Sequence, residues 1–318
     1  MISKCIDVYK NINIQIKNNS VEVSPCCLFP TQATDKLNFD NDPLLNLVRT
    51  QWNQNTIPTP CQGCARHEHS NHWYNDNGYS DTKVELLRVD YWTGDVCNLK
   101  CVICGPSNSS AWKEELKIPI IERKQTVNYS WRDLDLTTLK FVHFNGGEPL
   151  LSKEHIKFLH AIPIKSLVHV NYNTNGTILP SEELLRIWEQ FKLVQIDFSI
   201  DDIGDRFEYQ RYPARWEQVT NNLNWYIDNC SVNCMFAVNI TVSVLNQDNL
   251  TNLTQWLRKN FNANRVTDPI EYRTQDAIGI FAVDNTNKKQ IIDFLNSCDQ
   301  RRGTDWKQTF PELVEKLS

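Results

Sequence analysis

The chain has 318 residues, enough for one large α/β core plus a smaller module. A formal net charge of −5 with no basic run excludes the electrostatic footprint of a nucleic-acid partner, and no apolar stretch approaches membrane-spanning length. The N-terminus lacks an apolar leader, so the eleven cysteines predict a cytoplasmic, reducing setting in which clustered thiols bind metal rather than form disulfides.

Residues 1–25 hold two short alternating runs, 13–16 and 21–23, split by the polar stretch 17–20: a hairpin signature. The hairpin leads into Pro25-Cys26-Cys27. A polar loop follows, then a helix expected over 43–54, then Pro58-Thr59-Pro60-Cys61-Gln62-Gly63-Cys64. Prolines and glycine keep both cysteine sites in turns. Cys26 or Cys27, or both, with Cys61 and Cys64 therefore form a candidate metal site. Neighbouring residues on a strand point to opposite faces, so both Cys26 and Cys27 ligate only if the backbone leaves the strand. A small zinc ribbon on the same thiols is the alternative. The tract His67–His72 lies in an Asn-rich stretch and reads as solvated loop, with a domain boundary at 79–81.

The run 86–92 alternates and is rich in strand formers, and it leads into Cys97, Cys101 and Cys104, spaced C-x3-C-x2-C. A loop this compact can aim three thiolates at one inorganic centre. Iron–sulfur clusters are usually held by four thiolates, so one iron stays open to a ligand. Three buried apolar cysteines, or a zinc knuckle with a distant fourth ligand, are the blander readings.

Beyond the thiols, a helix over 109–117 and a loop-rich insertion over 118–138 precede a buried strand at 140–144, which ends in Asn145-Gly146-Gly147-Glu148-Pro149. Adjacent glycines at a strand end permit positive φ and close approach of a ligand, and Glu148 adds a carboxylate there. Ser152 is expected to cap a helix over 153–161. The rhythm repeats: strands at 167–173, 193–201 and 235–244, helices at 182–191, 216–230 and 250–261. The sixth strand is either 270–273 or 278–283, and 287–297 and 311–317 read as closing helices. Cys5, Cys230, Cys234 and Cys298 read as core residues. Strands alternating with helices predict a parallel sheet whose ligands gather at the C-terminal strand ends, where all the polar motifs fall.

The C-x3-C-x2-C loop after a first strand resembles the cluster loop of the radical S-adenosylmethionine (radical SAM) enzymes. Ile103 stands where that family usually has an aromatic residue. The resemblance implies that Cys97, Cys101 and Cys104 hold a 4Fe–4S cluster whose fourth iron is chelated by SAM. Gly146, Gly147 and Glu148 are similar to the family's GGEP element, which meets the SAM amino group. Thr174 and Asn175 resemble its third-strand contact. Ser199 and Asp201 resemble its SxD element, and Arg211 the arginine that pairs with the SAM carboxylate. The position after Asp201 is Asp202, where the family has glycine. Without the resemblance, these residues read as a turn, helix caps and a surface ion pair. The proline–cysteine hairpin and later C-x2-C are similar to half of a SPASM or twitch module, which implies a second, auxiliary 4Fe–4S cluster on Cys26, Cys27, Cys61 and Cys64. Here the module precedes the core.

The expected architecture is α/β: a partial (β/α)6 TIM-like barrel over 81–285, a small N-terminal SPASM/twitch-like module over 1–80 and a C-terminal helical extension over 286–318. The expected activity is reductive cleavage of SAM to a 5′-deoxyadenosyl radical that takes hydrogen from a substrate. A peptide or protein is the preferred substrate, with a nucleotide or carbohydrate as alternative, and flavodoxin or ferredoxin the expected electron donor. A non-catalytic zinc or Fe–S binding module is the reading from another class.

Overall fold

The structure, a computed structural model, describes residues 5–17, 20–66, 81–119, 130–260, 271–273 and 288–317. Two compact units result, the first from 1–94, 121–171 and 189–193, the second from 95–120, 172–188 and 194–318.

In the first unit the hairpin forms as expected. Strand β1 (Asn11–Lys17) pairs antiparallel with β2 (Ser20–Ser24), Asn13 opposite Ser24. The polar loop contributes a short third strand, β3 (Gln32–Thr34), antiparallel to β2. On its other side β1 runs parallel to β4 (Arg88–Trp92), and β4 parallel to β5 (Phe141–Asn145). The sheet is therefore mixed.

Period-two alternation sorts its two faces. Ile12, Ile14, Val89, Tyr91, Val142 and Phe144 are all fully buried. Tyr91 meets Trp131 at a ring-centroid distance of 5.0 Å, and Trp131 meets Phe158 at 4.7 Å. Phe158 lies on helix Glu154–Ala161. That helix starts one residue later than expected from sequence, with Lys153 rather than Ser152 at its N-cap, and Ser152 Oγ accepts the Glu154 N–H at 3.3 Å. The opposite face is polar: Asn11 Nδ2 donates to Asp90 Oδ2 at 3.0 Å, and the Arg88 Nη2–Asp90 Oδ1 ion pair measures 2.9 Å. Helix α2 (Pro43–Asn53) begins where Asp42 Oδ1 accepts the Leu44 and Leu45 N–H groups at 3.0 and 3.1 Å. Its buried Leu45, Val48 and Trp52 follow helical spacing, and the last two pack on Val8 and Tyr9.

In the second unit strand Leu193–Ser199 runs parallel to Cys234–Thr241, and that strand to the short Glu271–Arg273. The first candidate for the sixth strand thus forms, and 278–283 lies outside the described residues, as does the tract 67–72. Helices Glu182–Trp188, Trp216–Asn229 and Leu250–Asn260 alternate with the strands. A helix over Gly204–Gln210 was not foreseen. The closing helix is longer than expected, Lys288–Arg302, and ends at Gly303, whose φ of +66° suits a C′ glycine. With Pro311–Leu317 it packs Leu295, Phe310 and Leu313 into one cluster with Val102 and Tyr209. Among the described residues no helix is long and apolar enough to cross a membrane.

Candidate functional site

The cysteine loop is irregular backbone, so each polar group needs a partner. Ser109 caps the helix Ser110–Glu115 and donates through Oγ to the Leu99 carbonyl at 2.6 Å. Ser110 Oγ accepts the Cys97 N–H at 3.1 Å, and Trp112 Nε1 donates to the Cys101 carbonyl at 2.9 Å. From the other side, the Lys100 and Val102 N–H groups donate to the Tyr212 and Gln210 carbonyls at 2.6 and 2.7 Å. That register sets Arg211 between the two anchoring carbonyls.

Cys101 is buried; Cys97 and Cys104 are half-buried. Burial pushes the Cys101 thiol up to about 12, with the Arg211 guanidinium pulling down, Cys97 and Asp201 pushing further up, and Arg302 again pulling down. Cys104 rises to about 11 through burial and Cys101, opposed by Gly105 and Arg211. The Leu99 N–H points at Cys97 Sγ over 3.4 Å, and Asn175 Nδ2 stands 3.9 Å from the same sulfur. Asn175 also donates to Asn98 Oδ1 at 2.9 Å, and Asn98 to Thr177 Oγ1 at 2.8 Å. Thr174 Oγ1 accepts the Gly176 N–H at 3.2 Å.

Asp201 and Arg211 form a fully buried ion pair, Nε to Oδ2 at 2.8 Å, although the N–H is not aimed along the contact. The other Asp201 oxygen accepts the Thr241 N–H at 2.8 Å. Burial alone lowers the Arg211 pKa, but Asp201 and the adjoining Cys101 raise it overall, so the charge is permanent. Ser199 ends the strand Leu193–Ser199, half-buried. Asp202 accepts from its neighbour Ile203 N–H at 2.9 Å, Arg206 Nε at 2.9 Å, Gln210 Nε2 at 3.1 Å and Asn249 Nδ2 at 2.6 Å. Asp202 is thereby held by donors from its own turn, the helix Gly204–Gln210 and Asn249.

The Gly-Gly-Glu turn belongs to the first unit. Gly146 has φ +132°, and a Cβ there would lie 2.6 Å from the Gly94 carbonyl oxygen. That same oxygen accepts the Gly147 N–H at 2.7 Å. Glu148 is buried, and its Oε1 accepts the Leu150 N–H at 3.2 Å.

The first unit also carries Cys5, Cys26, Cys27, Cys61 and Cys64. Cys26 follows the hairpin, with Ser24 Oγ donating to its carbonyl at 2.8 Å; Cys61 ends a 3-10 turn and Cys64 lies in helix Gln62–Arg66. Cys5, read from sequence as core, does pack beside Val8, Tyr9, Val48 and Trp52, and so does Cys61. Burial raises Cys5 to about 12, with Asp7 adding and the Cys61 thiol contributing. Cys26 is raised by burial, then Asp7, with Cys27 and Cys5 contributing. Cys5 thus lies within electrostatic reach of Cys61 and of Cys26, one thiol from each segment that sequence reasoning paired. The signal was the register: the chain enters the hairpin before Asn11 and leaves after Ser24, so residues 5 and 26 depart from one end. Cys27 instead feels Asp90, Asp7 and Arg88.

Among the described residues, no three Cys, His, Asp or Glu side chains are gathered closely enough to hold a metal ion, in either cysteine group. The donor chemistry of the loop still fits an iron–sulfur centre: three thiols within electrostatic reach, an N–H aimed at one sulfur, and fixed cations beside them.

Residues 93–249 match the Radical SAM superfamily. The matched stretch, just under half of the chain, includes the three thiols of the loop, Gly146–Glu148, Asn175, Asp201 and Arg211. The GTP 3′,8-cyclase of Clostridium botulinum strain Hall is 29% identical over 128 residues, covering 40% of this chain and 38% of that protein. The chain thus matches well under half the length of this curated relative. Among solved structures, native anSMEcpe with bound AdoMet aligns at 15% identity and a TM-score of 0.43, over 69% of this chain and 62% of that one. Streptococcus suis SuiB bound to S-adenosylmethionine aligns at 12% identity and a TM-score of 0.40, over 99% of this chain and 75% of that one.

Proposed function

We propose that this chain is a radical SAM enzyme that removes hydrogen from its substrate by way of a 5′-deoxyadenosyl radical. The observation that carries the reading is the docking of the Gln210–Tyr212 segment on the cysteine loop, which brings a permanent guanidinium to the thiols. Cys97, Cys101 and Cys104 would hold a 4Fe–4S cluster. When bound and reduced, it supplies the electron that splits SAM into methionine and the 5′-deoxyadenosyl radical. Arg211 is suited to a carboxylate and would exchange part of its contact with Asp201 for the SAM carboxylate. Gly146, Gly147 and Glu148 would receive the amino group, with Thr174, Asn175, Ser199 and Asp201 completing the SAM contacts. Burial around Cys101 keeps water from the reacting atoms.

The proposed architecture is a partial (β/α)6 barrel over 81–285 with an N-terminal SPASM/twitch-like module over 1–80 and a helical extension over 286–318. In the module, Cys61, Cys64 and Cys26 or Cys27, together with Cys5, would carry the auxiliary cluster. Its proposed role is to hold the substrate or accept an electron from the oxidised product. A flavodoxin or ferredoxin in a reducing, cytoplasmic compartment is the proposed donor. A peptide or protein is the proposed substrate, on the likeness of the module to SPASM domains. The name of the GTP 3′,8-cyclase relative favours a nucleotide as the second reading.

The test is anaerobic reconstitution with iron and sulfide, then dithionite and SAM. Expected are about eight irons per chain, as two 4Fe–4S clusters require, and 5′-deoxyadenosine that vanishes in Cys101→Ala. Colourless, zinc-loaded protein that leaves SAM intact overturns the assignment.

A further inference from the structure

Arg302 closes the helix Lys288–Arg302, outside the 93–249 match, yet it reaches the cysteine loop. Its Nη2 donates to the Lys100 carbonyl, next to Cys101, at 2.8 Å. The guanidinium lies 4.6 Å from the ring centroid of Trp112 and 5.1 Å from that of Tyr212. Both rings belong to residues that hold the loop, Trp112 through the Cys101 carbonyl and Tyr212 through the Lys100 N–H. The side chain is 1% exposed, and its Nη1 is buried without a hydrogen-bond partner.

A cation so enclosed is costly unless compensated. Glu115 compensates only in part, because it also serves Lys100 at 3.0 Å and Arg301 at 2.6 Å. Three cations share the Glu115 carboxylate, so it offsets at most one of them.

We propose that Arg302 is a positioning residue that braces the cysteine loop and raises the reduction potential of the iron–sulfur centre on Cys97, Cys101 and Cys104. This inference rests on the function proposed above. The physical reason is charge: adding one electron makes a thiolate-bound centre more negative, and a buried fixed cation stabilises that reduced form. A ferredoxin- or flavodoxin-type donor then loses one electron and the centre gains it, with no proton required. Hydrogen bonding to the loop backbone fixes the distance over which the charge acts.

The test compares wild-type protein with R302Q and R302K, each reconstituted anaerobically and titrated with dithionite while the reduced centre is followed by electron paramagnetic resonance. R302Q is expected to shift to a more negative potential by at least about threefold in the reduced-to-oxidised ratio, roughly 28 mV for one electron. R302K keeps the charge and is expected to stay close to wild type. An unshifted R302Q, or equal shifts in both variants, overturns the proposal. If R302Q does not retain the centre, E115Q decides: removing the anion is expected to shift the potential upward by a similar factor, and no shift overturns the proposal. Wild-type protein that takes up no iron sinks the functional reading and this inference with it. Wild type that cleaves SAM while all variants titrate alike sinks this inference alone.

Discussion

The main-chain N–H of Val102 donates to the carbonyl of Gln210 at 2.7 Å, so the cysteine loop and the residue before Arg211 share one register. Arg211 is therefore aimed by backbone, and its chemistry separates from its position. Arg211→Lys keeps the charge beside Asp201 but loses the planar fork. It is expected to retain the iron of the loop and to bind SAM at least about tenfold more weakly, a loss of about 1.4 kcal/mol. Calorimetry with SAM on the reconstituted protein checks this.

Cys5 lies within electrostatic reach of both Cys26 and Cys61. Cys5→Ala is expected to remove the auxiliary iron, leaving about four irons per chain in one 4Fe–4S cluster, with SAM cleavage intact. Cys27→Ala, at an exposed position, is expected to lose less iron. Iron counts on the two variants decide it; equal counts exclude a ligand role for Cys5.

Gly146 combines a positive φ with a carbonyl oxygen where a side chain would begin. Gly146→Ala is expected to destabilise by about 1–3 kcal/mol and to weaken SAM binding. Gly105 has nothing within 4 Å of an added Cβ, so Gly105→Ala is expected to change stability by no more than about 0.5 kcal/mol. Urea unfolding of both variants checks the contrast.

Two histidines give the first unit an acid limit. Burial pushes His155 down to about 4, opposed by the Ser152 carbonyl, and burial with Lys192 takes His169 to about 4. Each is neutral when folded and protonates near pH 6.5 when unfolded. The stability they contribute is therefore fully present above about pH 6.5 and declines as pH falls toward about 4. Asp90 acts lower: burial would raise it, but His143 and Arg88 hold it at about 2, so its contribution fades only below about pH 4. Unfolding free energies at pH 7 and 4.5 are expected to differ, with a shallower slope in His155→Gln.

Sequence periodicity carried the βα rhythm because burial sorts apolar residues by spacing, as in Ile12, Val89 and Val142 across three strands. The cysteine motif was legible for the same local reason. The helix Gly204–Gln210 was missed because its buried face has only Phe207, Tyr209 and Gln210 in two turns. Asp202 looked like a helix cap, whereas four donors from three segments meet on it. Arg302 lies beyond the closing helix expected over 287–297, and nothing in the local sequence marks it. Its link to Lys100 spans 202 residues, and no local pattern encodes a contact of that separation.

That separation also sets an order of events during synthesis. The three thiols leave the ribosome early, yet the brace that fixes their backbone is completed only when residue 302 has been made. At about 5–20 residues per second the loop stays unbraced for roughly 10–40 s. Any centre the thiols took up before then would sit on a backbone that still lacks that support.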